Sequence, residues 1–208
     1  MDSDFDIYVY KMVADNGGAP CVFRGLLSLA ICKPKIRKAA RKGALIFGFG
    51  SKRYSERLIY IAKITEDKPE LGDYYRNPKY AQRDDCIYQD IAGLPQRKPG
   101  ARYHAQTDER LRDVGRHFER AYVLLSKDFR YLGKLGTADY KERFPAIKAL
   151  IEGLKRNHRV NHKPELRRQL LKLKSFIWRQ HKQMKVGSPT DAESTATCNT
   201  DTPGCTVS

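Results

Sequence analysis

Acid–base chemistry has its richest material in one stretch of this 208-residue chain, where Asp84, Asp85, Tyr88, His104, Thr107 and Asp108 follow one another. A carboxylate and an imidazole are the minimum for general acid–base catalysis. Asp85, His104 and Asp108 are therefore candidate catalytic groups, joined by Asp15 from the turn Asp15-Asn16-Gly17-Gly18. Tyr88 is a candidate ring for stacking an extracted base. Asp108 has a competing role, because Thr107 or Asp108 would cap a helix that follows. Tyr74, Tyr75, Tyr80, Tyr88 and Tyr103 are interleaved with Arg76, Arg83, Arg97 and Arg102. Such a mixture stacks on bases and grips phosphates, or else closes the core of a sheet.

Anion chemistry is concentrated in two nearby segments. Cys32-Lys33-Pro34-Lys35-Ile36-Arg37-Lys38 begins a run, residues 33–53, that holds eight Lys and Arg and no acid. Cations at a helix start oppose the macrodipole, and a phosphate there would satisfy free N–H groups and lysines together. Lys33, Lys35 and Arg37 are candidate phosphate ligands. In Gly48-Phe49-Gly50-Ser51-Lys52-Arg53, Gly48 and Gly50 permit close backbone approach and Ser51 with Lys52 suits an anion. The segment lacks the third glycine of a dinucleotide fingerprint and the spacing of a P-loop, so a plain turn between strands competes with this role.

Charge points the same way. Forty Lys and Arg against 24 Asp and Glu leave a net +16. Self-repulsion of that size is relieved by polyanions, which puts nucleic acid first among partners, with DNA ahead of RNA, or a nucleotide. The longest apolar runs are far shorter than the ~20 residues a bilayer needs, so no membrane is expected. The first six residues hold three Asp and no cation, the opposite of a signal peptide's basic start. Five cysteines without C-x-x-C spacing suit a reducing, cytoplasmic setting and argue against both a disulfide scaffold and structural zinc. No metal is expected, and no cofactor is identified.

The elements that must position these groups read as α+β. Phe5 to Val13 is a strand, and Leu26 to Ile31 is a short strand or buried helix. Pro34 opens a helix with Ile36, Ala39 and Ala40 on one face, stopped at Gly43. Ala44–Phe49 and Arg57–Thr65 are strands, the second with Leu58, Tyr60, Ala62 and Ile64 on one face. Residues 66–105 are mostly irregular, broken by Pro69, Pro78, Pro95 and Pro99. Leu111, Val114, Phe118 and Ala121 form a helical stripe, with Tyr122–Ser126 and Phe129–Leu132 as strands.

Residues 145–185 differ in kind. Pro145 opens a helix with the stripe Ile147, Leu150, Ile151 and Leu154, and Pro164 opens a longer one with Leu166, Leu170, Leu173 and Ile177 on one side. Arg168, Lys172, Arg179 and Lys182 fall on the other side, at axial steps of ~6, ~10.5 and ~4.5 Å whose average approaches the phosphate spacing of a nucleic-acid strand. This stretch carries twelve cations and two acids. An ordinary solvated helix face is the competing role. Residues 187–208 carry three acids and no cation and read as a disordered tail. The expected organisation is residues 1–133 as an α+β domain, 134–186 as a basic helical extension and 187–208 as the tail. The first of these is a small mixed or antiparallel sheet, or a PUA-like barrel, with flanking helices.

Ala14-Asp15-Asn16-Gly17-Gly18-Ala19-Pro20, Leu29-Ala30-Ile31-Cys32-Lys33-Pro34-Lys35, Gly48-Phe49-Gly50-Ser51-Lys52 and Arg57-Leu58-Ile59-Tyr60 occur in that order. Together with Asp85-Cys86-Ile87-Tyr88 and the stretch from Tyr122 to Gly133, they resemble the nucleotide modification associated domain, type two, family. The resemblance covers residues 5–133. Gln89 stands where the family pattern has His, and Cys86 where it has Asn. The resemblance implies a role in phage or bacterial systems that make, read or counter modified nucleobases. The order of elements is also similar to PUA-like folds of the ASCH and EVE groups, in topology alone.

The expectation is a nucleic-acid-binding protein of such a system that recognises a modified base. A base-processing enzyme, for instance a glycosylase, is the alternative, and a basic RNA- or ribosome-associated protein the third. On the first reading Lys33, Lys35, Arg37, Ser51 and Lys52 share one phosphodiester track with Arg168, Lys172, Arg179 and Lys182.

Overall fold

The computed structural model describes residues 5–195 apart from 106, 121 and 156, and the backbone alone at 107–109. The first half runs β1 (Ile7–Met12), β2 (Cys21–Phe23), β3 (Leu26–Leu29), α1 (Pro34–Ala39), β4 (Leu45–Gly50) and β5 (Leu58–Lys63). It continues with α2 (Leu71–Arg76), β6 (Tyr88–Ile91), β7 (Leu94–Arg97) and α3 (Thr107–Asp113). The rest is β8 (Leu124–Ser126), β9 (Asp128–Tyr131), α4 (Tyr140–Arg143), α5 (Pro145–Gly153), β10 (His158–Arg159) and α6 (Pro164–Gln180).

A five-stranded mixed sheet has the order β10-β1-β4-β5-β9, with β1 and β4 parallel. A three-stranded sheet, β2-β3-β8, and the β6-β7 hairpin complete an α+β fold. No closed barrel forms among the described strands, so the sheet and not the PUA-like barrel is the architecture.

Period-two alternation decides which layer each helix joins. Tyr8, Tyr10 and Met12 of β1 face a core that includes Ile36 and Ala40 of the α1 region, Leu27, Leu29, Tyr60 and Tyr131. Ile7 and Val9 face the opposite core, with Ile147 and Ile151 of α5 and Leu170, Leu173 and Ile177 of α6. Each such apolar side chain contributes roughly 1.5–3 kcal/mol when fully buried. The late helices therefore dock on the sheet through the stripe expected of them, and α1 lies on the sheet's other face.

Several expectations are corrected. Leu58 does not share a face with Tyr60, Ala62 and Ile64. A register shift opposite Gly48 and Phe49 makes Ile59 an extra residue, and Leu58 turns into the α5–α6 core. The helical stripe through Val114 and Phe118 ends early, because the helix stops at Asp113 and Gly115 takes a positive φ of 89°. Ala121 lies outside the described residues. The region 66–105 holds α2 and a hairpin whose turn, Ala92-Gly93, has positive φ at both residues. Residues 187–195 are not a detached tail: Lys134 N–H donates to Ser188 O at 2.9 Å, and the segment continues across the carboxyl end of β1. Residues 196–208 lie outside the described part.

Candidate functional site

Lys35, Lys38, Arg41 and Lys68 line an open concavity of about 720 Å³ with Ala39, and no acid lines it among the described residues. The local sequence explains the arrangement. Ile36 and Ala40 turn into the core while Lys35, Lys38, Ala39 and Arg41 remain exposed. Lys68 arrives after β5 and donates to Lys38 O at 2.6 Å, its ammonium 4.4 Å from the Tyr122 ring centre. Partial burial pushes the Lys68 pKa down, and the nearby Arg41 adds to it. Burial likewise lowers His158 on β10, with help from Lys35 and Lys33. Cations thus act on one another here.

Arg37 does not belong to that surface. It is fully buried, its Nε donates to Cys32 O at 2.7 Å, and its guanidinium clasps the Asp113 carboxylate. Asp113 Oδ2 also accepts the Cys32 N–H at 2.8 Å. Arg37 and the Cys32 N–H thus take their anionic partner from the chain itself. Lys33, half-buried, lies over the Tyr10 ring at 4.9 Å.

The two glycines of the Gly-Phe-Gly bend make room for tyrosines. A Cβ on Gly48 would stand 2.2 Å from Tyr60 Cε1, and one on Gly50 would stand 2.5 Å from Tyr54 Cβ. Tyr10 and Tyr60 meet across Gly48 with hydroxyls 2.9 Å apart. Ser51, half-buried, and Lys52, exposed, follow at the carboxyl end of β4, whereas Arg41 precedes its amino end.

Of the acid–base candidates, Asp15 is fully buried beside that carboxyl end. Its Oδ1 accepts from Tyr131 at 2.5 Å, and its Oδ2 from Thr190 N–H at 3.0 Å and Thr190 Oγ–H at 2.9 Å. Burial raises its pKa above the ordinary carboxylate range, although these donors oppose the rise. Asp85 accepts from Ser28 and from Tyr74 and lies 3.5 Å from Arg83, whose guanidinium also ties Cys21, Phe23 and Leu26 carbonyls together. Its burial pushes its pKa up, with Arg83 working against that. His104 Nδ1 is 2.7 Å from Tyr88 Oη, and its Nε2 is 3.5 Å from Asp113. These partners divide Asp15, Asp85 and His104 among three sets. Asp108 lies where the structure describes no side chains. Tyr88 is fully buried, packed edge-on to Tyr75 at 5.3 Å, so no open face awaits a base.

Arg168, Lys172, Arg179 and Lys182 are exposed on α6 or just past it. Lys172 and Arg179 line a second groove of about 590 Å³ with Arg143, Phe144 and Phe176, while Arg168 pairs with Glu165. The sheet stands between these residues and the α1 surface. The expected common track is thereby corrected, because β1 sends alternate side chains to the two helical layers.

Sequence reasoning named neither Lys68, Tyr54, Tyr131 nor Asp113 for the site. Lys38 and Arg41 show in the sequence only as members of the basic run. Nothing local in sequence marks Lys68, which joins the cluster through β5. Among the described residues no group of His, Cys, Asp and Glu could hold a metal, and no helix is long and apolar enough to cross a membrane. Cys21, Cys32 and Cys86 are buried and form no disulfide among the described residues.

No curated protein and no solved structure matches the chain. A family model does, and it spans residues 4–196, past the stretch that carries the resemblance and through α6. With a match over nearly its whole length, the chain belongs to the nucleotide modification associated domain 2 family.

Proposed function

We propose that this protein serves a nucleotide-modification system by binding nucleic acid, DNA ahead of RNA, through the α1 surface. The observation that carries the reading is the concavity in which Lys35, Lys38, Arg41 and Lys68 converge, with no acid among its described lining residues. Like charges held close together repel, and a phosphate that enters relieves that repulsion, so an anion gains more there than at scattered lysines. Ser51, Lys52 and the α6 cations lie apart from this surface and are not needed for it. The separate partner sets of Asp15, Asp85 and His104 favour binding over base-processing chemistry such as glycosidic cleavage, which needs its acid and base around one bond.

Anisotropy titrations with modified and unmodified duplexes, and with RNA, between about 50 and 200 mM salt test the reading. Binding to duplex DNA should weaken steeply, with log K falling roughly 0.9 per neutralised phosphate against log salt. Recognition of a modified base predicts tighter binding to the modified duplex at both salt levels. Flat salt dependence, or equal binding of unmodified RNA, contradicts the proposal.

A further inference from the structure

Among the described residues three aspartates are buried, Asp15, Asp85 and Asp113, and their partners differ. Asp85 faces Arg83 and Asp113 faces Arg37. Asp15 is met by neutral donors: the Tyr131 hydroxyl and the N–H and Oγ–H of Thr190. A carboxylate taken wholly out of water is costly without a cation, and such costs collect at functional positions. Asp15 also follows β1 where β1 and β4 run parallel, and the carboxyl ends of parallel strands are where α/β sheets hold ligands.

The segment that fills this place is polar. Beyond Ser188 it reads Pro189-Thr190-Asp191-Ala192-Glu193-Ser194, with Pro189 as its largest apolar side chain. Thr190 directs two donors onto one oxygen of Asp15. The Asp191 carboxylate is held by Arg53 at 3.2 Å and by the Tyr54 hydroxyl, which also lies 3.2 Å from Val13 O. Asp191 N–H donates to Asp15 O at 2.9 Å. Two converging donors with an anion one residue away reproduce the pattern of vicinal ribose hydroxyls and a phosphate.

We propose that Asp15, Arg53 and Tyr54 form a binding site for a ribonucleoside monophosphate, and that Thr190 and Asp191 occupy it in the ligand's place. Ribose hydroxyls replace the Thr190 donors on Asp15, and the phosphate replaces the Asp191 carboxylate between Arg53 and Tyr54. Residues 189–194 lift away when the ligand enters. This site uses none of the α1 cations, so it stands or falls independently of duplex binding there.

Hydrogen exchange on the full chain tests the proposal, with AMP, 2′-deoxy-AMP and inorganic phosphate as probes. Saturating AMP should speed exchange of the Thr190 and Asp191 amides at least tenfold while sheet amides stay unchanged. 2′-Deoxy-AMP should require about tenfold higher concentration, and phosphate alone should do nothing. Thr190→Val with Asp191→Ala should tighten AMP binding about tenfold by removing the competing segment, and Asp15→Asn should weaken it. Unchanged exchange with AMP on the wild-type chain overturns the proposal without reference to any variant. An equal response to phosphate or to the deoxynucleotide overturns it as well.

Discussion

The Arg37 guanidinium and the Asp113 carboxylate form an ion pair from which solvent is almost absent, with side-chain exposures of 0% and 6%. It ties the helix that carries the cationic surface to the end of α3, 76 residues away. Asp113 also receives the Cys32 N–H, and Arg37 donates to the Cys32 and Tyr122 carbonyls. The pair therefore fixes where the exposed cations of α1 point.

Arg37→Met should cost about 3–5 kcal/mol, because it leaves a buried carboxylate without its counter-charge. Urea denaturation measures this as a fall in midpoint at unchanged slope. A loss below about 1 kcal/mol would mean that the pair is solvated.

Gly48→Ala should destabilise by about 1–3 kcal/mol, the usual cost of forcing extra volume into a packed core. The new methyl would meet Tyr60, which must move and break its contact with Tyr10. Thermal unfolding reads the loss. Wild-type stability in the variant would show that the bend is not closed by the tyrosine ring.

The strands with strong alternation and the two proline-opened late helices were legible because one buried face leaves a periodic record. The β6-β7 hairpin was not, since Gln89, Asp90, Gln96 and Pro95 give no apolar alternation and only Ala92-Gly93 marks the turn. Arg37 looked like its neighbours Lys35 and Lys38. Its burial depends on Asp113, which no local pattern connects to it. The position of Leu58 depends on an extra residue in β5 that a period-two count cannot register. The site was legible as a basic run, while the partner that completes it, Lys68, comes from the end of β5 through the sheet. The separation of the α1 and α6 cations follows from which side of β1 each helix covers, and composition carries no such information.

Glu56 supplies a pH test. Lys11 and Lys141 hydrogen-bond its carboxylate at 2.8 and 3.2 Å and hold its pKa below the usual value near 4.5. A carboxylate lowered in the fold adds stability that is present above its unfolded pKa and is lost as pH falls through the folded one. Glu56→Gln should therefore be less stable than wild type at neutral pH, with the gap closing as pH drops below about 4.5. Denaturation at a series of pH values checks this, and a gap that widens on acidification contradicts it.

The central claim is that the α1 concavity is where this protein holds a polyanion. The direct measurement is the slope of log K against log salt for duplex DNA, compared between wild type, Lys38→Glu/Arg41→Glu on α1, and Arg168→Glu/Lys182→Glu on the opposite layer. The α1 variant should lose roughly two units of slope, about 0.9 for each phosphate no longer neutralised, and bind far more weakly. The α6 variant should change the slope less. Full slope and affinity in the α1 variant, with the loss appearing in the α6 variant instead, would contradict the account.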